Sequence, residues 1–225
     1  MSKLVWDEES KKLYTLGVDK GVLYVYDSAK KKYGDGAAWN GLTAVNESPS
    51  GADASDFYAN NSLYASVRST EKFGATIEAY TYPEEFEACN GRVEKAPGVY
   101  VTMQTRKMFA FSYRTLIGND TDGQEHGYKI HLVYGATASP SSVDHATIND
   151  NVDIPTMSWE VTTVPVPVEG LKPTSHIEID STKVDAALLK KLEDKLYGTD
   201  TDMAGILLPA EVFDLLKASS TPAAG

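Results

Sequence analysis

Apolar and polar positions alternate in short runs over most of the first 180 residues and then recur every four residues, so the chain reads as strands first and helices last. Residues 12–27 read as a hairpin, with Lys12–Val18 as one strand, Asp19-Lys20-Gly21 as the turn and Val22–Tyr26 as the return. The return strand is apolar on both faces and so requires cover on both. Phe73–Tyr80 reads as a further strand. A short helix is expected over Pro83–Cys89, opened by Pro83, Glu84 and Glu85 and ended by Gly91.

Arg106–Ile117 carries the clearest alternation, with Phe109, Phe111, Tyr113, Thr115 and Ile117 on one face. Across the turn cluster Gly118–Gly123, Tyr128–Tyr134 is its partner, with Tyr128, Ile130, Leu132 and Tyr134 sharing a face. Ala136–Ser142 reads as a loop. Thr156–Val164 is a strand with Met157, Trp159, Val161 and Thr163 opposed to Thr156, Ser158, Glu160 and Thr162, and it stops at Pro165 and Pro167. Ser175–Ile179 is a last short strand. The period then changes. Val184, Leu188, Leu192 and Leu196 mark an amphipathic helix over 182–198, with Thr182 and Asp185 as a capping box and Gly198 at its end. Pro209 opens a second short helix with Val212, Phe213, Leu215 and Leu216 as its apolar side, and 218–225 is expected to be a mobile tail.

The segment 33–68 breaks this pattern. It is rich in Gly, Asn, Ser and Ala, and only Leu42–Val45 and Leu63–Val67 look extended. Such a long connection with so little regular structure is uncommon inside a compact domain. Trp39, Phe57, Tyr58 and Tyr64 argue against simple disorder. The segment is therefore expected to be a long loop or arm that packs on a neighbour. The element order gives an α+β fold, mainly β, as a sandwich or incomplete barrel with helices on one flank.

Composition adds four constraints. Thirteen tyrosines among 225 residues reinforce the strand reading. No apolar run reaches the length of a membrane span, and the opening stretch lacks the apolar core of a secretion signal, so no membrane partner is expected and folding in a cytoplasm is. The net charge is −11, and the one basic cluster, Lys30-Lys31-Lys32, is flanked by glycines and reads as a solvated loop tip, which speaks against tight binding of nucleic acid. Cys89 is the single cysteine, so no intrachain disulfide can form.

Candidate chemistry is sparse. The acidic run Asn119–Glu125 lacks the carboxylates an EF-hand needs at its first and last positions and reads as a hairpin turn. His126, His131, His145 and His176 form no metal-binding spacing; His126 and His131 are five apart and would face opposite ways on one strand. Glu84, Glu85 and Glu87 complement a helix start better than they form a catalytic pair. No nucleophile–base constellation or phosphate-binding loop is present. No catalytic, cofactor-binding or metal residue is expected, no cofactor, and no enzymatic activity.

Three stretches are more distinctive. Tyr80–Gly91, Arg106–Asp120 with its continuation His126–Gly135, and Trp159–Thr163 with Pro165–Pro167 and Ile179–Asp185 up to Leu196–Thr199 resemble the major tail (tail-tube) proteins of siphophages, particularly those of Gram-positive hosts. The resemblance covers about residues 36 to 200. It implies a tail-tube β-sandwich with a flanking helix, occupying 1–217 as a single domain, with 33–68 as a long inter-subunit loop and 182–198 as the flanking helix. It further implies a structural virion protein that stacks in rings, normally hexameric, into the hollow tail tube through which DNA is ejected. The implied partners are other copies of the chain, the tape measure, tail terminator and distal tail proteins, and DNA in non-sticky transit. The implied location is the virion tail, assembled in the host bacterial cytoplasm. Lys107, Arg114 and Lys129 are expected to pair with acidic neighbours rather than DNA. Two other readings stay open. One is a different virion component, such as a capsid decoration or tail-terminator protein. The other is a β-sandwich glycan-binding module with Trp6, Trp39 and Tyr58 as ligand platforms.

Overall fold

The 14-residue strand β1 (Tyr14–Asp27) organises the molecule, which is a computed structural model describing residues 4–143, 145, 147 and 154–217. The expected mobile tail, 218–225, lies outside the described residues. After β1 come β2 (Lys32–Ala38), β3 (Leu42–Glu47), β4 (Ala54–Ala59), β5 (Ser62–Arg68) and β6 (Gly74–Ala79). A 3-10 helix (Glu84–Ala88) precedes β7 (Val93–Ala96), β8 (Val99–Val101), β9 (Phe109–Asn119) and β10 (Gly123–Ala138). Then follow β11 (Met157–Thr163), β12 (His176–Asp180), and the helices α1 (Ala186–Tyr197) and α2 (Pro209–Lys217). The fold is mainly β, with one large sheet and two helices, as the periodicity predicts.

The large sheet runs β2-β1-β9-β10-β11-β6-β3, with β12 also paired to β10. The hairpin expected over 12–27 does not form. Asp19, Lys20 and Gly21 lie inside β1, which pairs with β9 along its length from Tyr14↔Gly118 to Val25↔Phe109. Register shifts on both sides of Asp19 absorb the turn-like residues as bulges. A long antiparallel partner thus outweighs local turn composition. The next difference is β10, which runs through the expected loop at 136–138 to pair with β11.

Gly135 lets β10 serve two partners. Lys129–Val133 pair with β12, and Ala136–Ala138 pair with β11 on the same side. Between them Gly135 adopts φ +62, and a Cβ there would sit 2.2 Å from the carbonyl oxygen of Val164. The sheet bends at this point. Gly135→Ala is therefore expected to cost about 2–3 kcal/mol, from the left-handed backbone plus the backbone clash, measured by urea unfolding.

The sheet covers one of its faces with its own far strands and leaves the other to the helices. On one side Leu23, Phe109, Phe111 and Tyr113 pack against Ile77, Trp159 and Val161, with Trp39 and Phe86 in the same cluster. On the other, Val22, Tyr24, Ile130, Leu132 and Tyr134 pack beneath Leu189, Leu192, Leu196 and Val212 of the helices. The two-faced apolar run Val22–Tyr26 thereby finds its cover within the chain. Two tyrosines tie the helical layer down, Tyr24 donating to the Leu196 carbonyl at 2.7 Å and Tyr134 to that of Leu207 at 2.8 Å. Helix α1 begins later than the capping-box reading places it. Asp185, not Thr182, is the N-cap, its carboxylate accepting from the Ala187 and Leu188 amides.

The segment 33–68 is also more regular than its composition predicts. β2 pairs with β1 and β3 with β6, so residues up to 47 belong to the body of the sheet. Trp39 is 4% exposed and donates its indole N–H to the Thr81 carbonyl at 3.0 Å. Within this segment only β4 and β5 leave the sheet, as a separate hairpin whose base is held by the bridge between Ser50 and Lys72; β7 and β8 form a second separate pair farther along the chain.

Candidate functional site

The β4–β5 hairpin is made by Asn60 and Asn61, a two-residue turn with φ of 49° and 61°. Two positive φ values are what a twist-compatible tight hairpin turn demands, and Asn tolerates them well. The register sets Tyr58 opposite Leu63 and Phe57 opposite Ala65. These side chains lack cover from their own chain among the described residues, with Tyr58 71% and Tyr64 79% exposed. Phe57, Leu63 and Val67 are each more than half exposed. An isolated two-stranded hairpin is marginal in water, and a contiguous exposed apolar surface marks an interaction site. Trp6, 75% exposed, and Leu4 and Val5 add a second apolar segment near the N-terminus.

Among the described residues the sheet also has open edges. β2 and β3 are its terminal strands, and β12 pairs on one side only, with β10. β2 is partly shielded, since the Gly36 amide donates to the Ala204 carbonyl at 2.9 Å. Edges of this kind accept further strands unless covered.

The charged candidates fall into place individually. Arg114 forms a two-pronged pair with Asp19 at 2.8 and 2.6 Å and lies over the Tyr128 ring. Lys129 pairs with Glu178 at 2.9 Å. Lys107 departs from expectation, making no ion pair among the described residues. Lys30, Lys31 and Lys32 are exposed around the β1–β2 turn, as a loop tip should be. Glu87 pairs with Arg92 at 3.1 Å, while Glu84 and Glu85 are exposed. Residues 119–123 are a hairpin turn, in which Asn119 Oδ1 accepts from the Thr121 and Asp122 amides and Asp122 contacts His126 at 3.0 Å. Cys89 is fully buried at the end of the 3-10 helix, and burial pushes its thiol up to about 12, leaving it inert.

A constellation that spacing does not reveal lies between the two halves of the sheet. His131 Nδ1 is 3.1 Å from His176 Nε2, and 3.5 Å from a carboxylate oxygen of Glu47. The other nitrogen of His131, Nε2, is 3.0 Å from the Thr115 hydroxyl. Tyr113 donates its hydroxyl to Glu47 at 2.6 Å. Burial pushes His131 down to about 4, reinforced by the neighbouring His176, and burial lowers His176 too, so both imidazoles are neutral at pH 7. The contact between His131 and Glu47 is therefore not an ion pair at that pH. Burial and the Glu47 carboxylate together push the Tyr113 hydroxyl well above its usual range, so it stays protonated as a donor.

Of the aromatic platforms considered from sequence, Trp39 is in the core and only Trp6 and Tyr58 reach the surface. No described helix is long and apolar enough to cross a membrane. No protein-family model and no curated protein matches the chain.

Proposed function

We propose that the chain is the tail-tube subunit of a long-tailed bacteriophage, a structural virion protein that works as a homopolymer rather than as a catalyst. The observation that carries this reading is the β4–β5 hairpin, which projects from a well-packed body with its aromatic side chains in water. A subunit that functions alone gains nothing from such an arm, whereas a neighbouring copy supplies its cover. The edges of β3 and β12, open among the described residues, fit the same scheme, because ring closure pairs or hides them. A mainly β body with helices on one face supports the reading at the level of fold class.

In this reading the rings are hexameric and stack into a hollow tube, with tape measure, tail terminator and distal tail proteins as further partners. The acidic balance suits a conduit, since a net charge of −11 provides little of the phosphate neutralisation that would retain passing DNA. The pairing of Arg114 and Lys129 with carboxylates acts in the same direction. Assembly takes place in the host cytoplasm and the product resides in the virion tail.

Sedimentation velocity of the purified chain across a wide concentration range tests this reading. Particles much larger than a subunit should appear and grow with concentration. A single 24.4 kDa species at every concentration would refute it.

A further inference from the structure

We propose that His131, His176 and Glu47 form a three-ligand site for one divalent transition-metal ion of the zinc class, which links the edge strand β3 to β10 and β12. Around a tetrahedral ion with bonds of about 2.0–2.1 Å, neighbouring ligand atoms stand about 3.3 Å apart. The observed separations from His131 Nδ1, 3.1 Å to His176 Nε2 and 3.5 Å to the Glu47 oxygen, bracket that value. All three donor atoms lie within 4.8 Å of one another. Two histidines and a carboxylate are a donor set that zinc accepts, with a fourth position left for water.

The surroundings hold the ligands in place. Tyr113 stacks on the His131 ring at 4.5 Å with planes 2° apart, and Phe73 stacks on His176 at 4.5 Å. In the tautomer whose Nε2–H donates to Thr115, His131 turns the lone pair of Nδ1 toward the other ligands. The Tyr113 hydroxyl orients Glu47 in the same way. In that tautomer, and without metal, the 3.1 Å contact is an N–H···N bond in which His176 Nε2 supplies the proton. Binding moves that proton to Nδ1 of His176, so the ion takes its place and no net proton is released. Glu47 is the solvent-accessible ligand and provides the route in.

The site has a structural purpose. β3 pairs with β6, and no backbone ladder joins it to β10 or β12. An ion held by Glu47 from β3, His131 from β10 and His176 from β12 would fasten the end of the curled sheet to its middle. This inference is independent of the tail-tube reading.

Titration of the chelator-treated full chain with Co²⁺, followed by its visible absorption, and with Zn²⁺ by calorimetry, tests the proposal. One equivalent per chain is expected, with the intense absorption of a tetrahedral cobalt centre that Zn²⁺ displaces. Glu47→Gln, which keeps an acceptor for Tyr113, should weaken binding about tenfold or more, and His176→Asn should abolish it. A variant carrying His126→Asn and His145→Ala together should bind like the parent, since neither residue belongs to the site. Absence of saturable one-to-one binding in the parent chain would overturn the proposal, as would equal binding by Glu47→Gln or loss of binding in the His126/His145 variant.

Discussion

Replacing Phe57, Tyr58 and Tyr64 together by Ser is expected to abolish self-association while shifting the stability of the subunit by no more than about 0.5 kcal/mol. The asymmetry follows from exposure. All three side chains are more than half in water, so the isolated subunit loses little packing when they are removed. At an interface the same residues become the aromatic anchors that dominate binding, where truncating a single buried one costs about 2 kcal/mol or more. Sedimentation velocity reads the association, and urea unfolding of the same samples reads the fold. Large particles formed by the triple variant would show that the hairpin is not what joins the copies.

The second large effect lies in the core. Trp159→Ala is expected to cost about 3–5 kcal/mol, a large fraction of the stability of an ordinary domain. Trp159 is 1% exposed and meets the rings of Trp39, Tyr82 and Phe86 at 5.7, 5.4 and 5.3 Å. These neighbours come from the β2–β3 connection and from around the 3-10 helix, so the cavity would loosen the packing of segments remote in sequence. Trp159→Phe leaves a smaller void and should lose less. Chemical unfolding monitored by near-ultraviolet circular dichroism checks both, and a loss under about 1 kcal/mol for the Ala variant would contradict the packing described.

Periodicity made some of this fold legible and hid the rest. β9 and β10 were readable because Phe109, Phe111 and Tyr113 alternate strictly, and α1 because Leu188, Leu192 and Leu196 recur at helical spacing. β2 was not, because a strand of Gly, Asp and Ala has little intrinsic preference for extension. It exists because β1 offers a ladder and because Gly36 lies against Tyr24, where a Cβ would come within 2.8 Å of the ring. Asp19-Lys20-Gly21 carried a turn signal that pairing with β9 overrode. β4 and β5 did leave a trace, the Asn60-Asn61 pair between two aromatic-bearing runs, but the surrounding Ser, Ala and Gly masked it. The histidine site was invisible for a different reason. His131 and His176 stand 45 positions apart, and only the β10–β12 register brings them together.

Electron microscopy of the concentrated chain bears most directly on whether neighbouring copies complete this subunit. The expected result is long hollow filaments of stacked rings, with residues 54–68 of each copy lying against the adjacent ring. Discrete monomers, or filaments in which those residues still project into solvent, would contradict it.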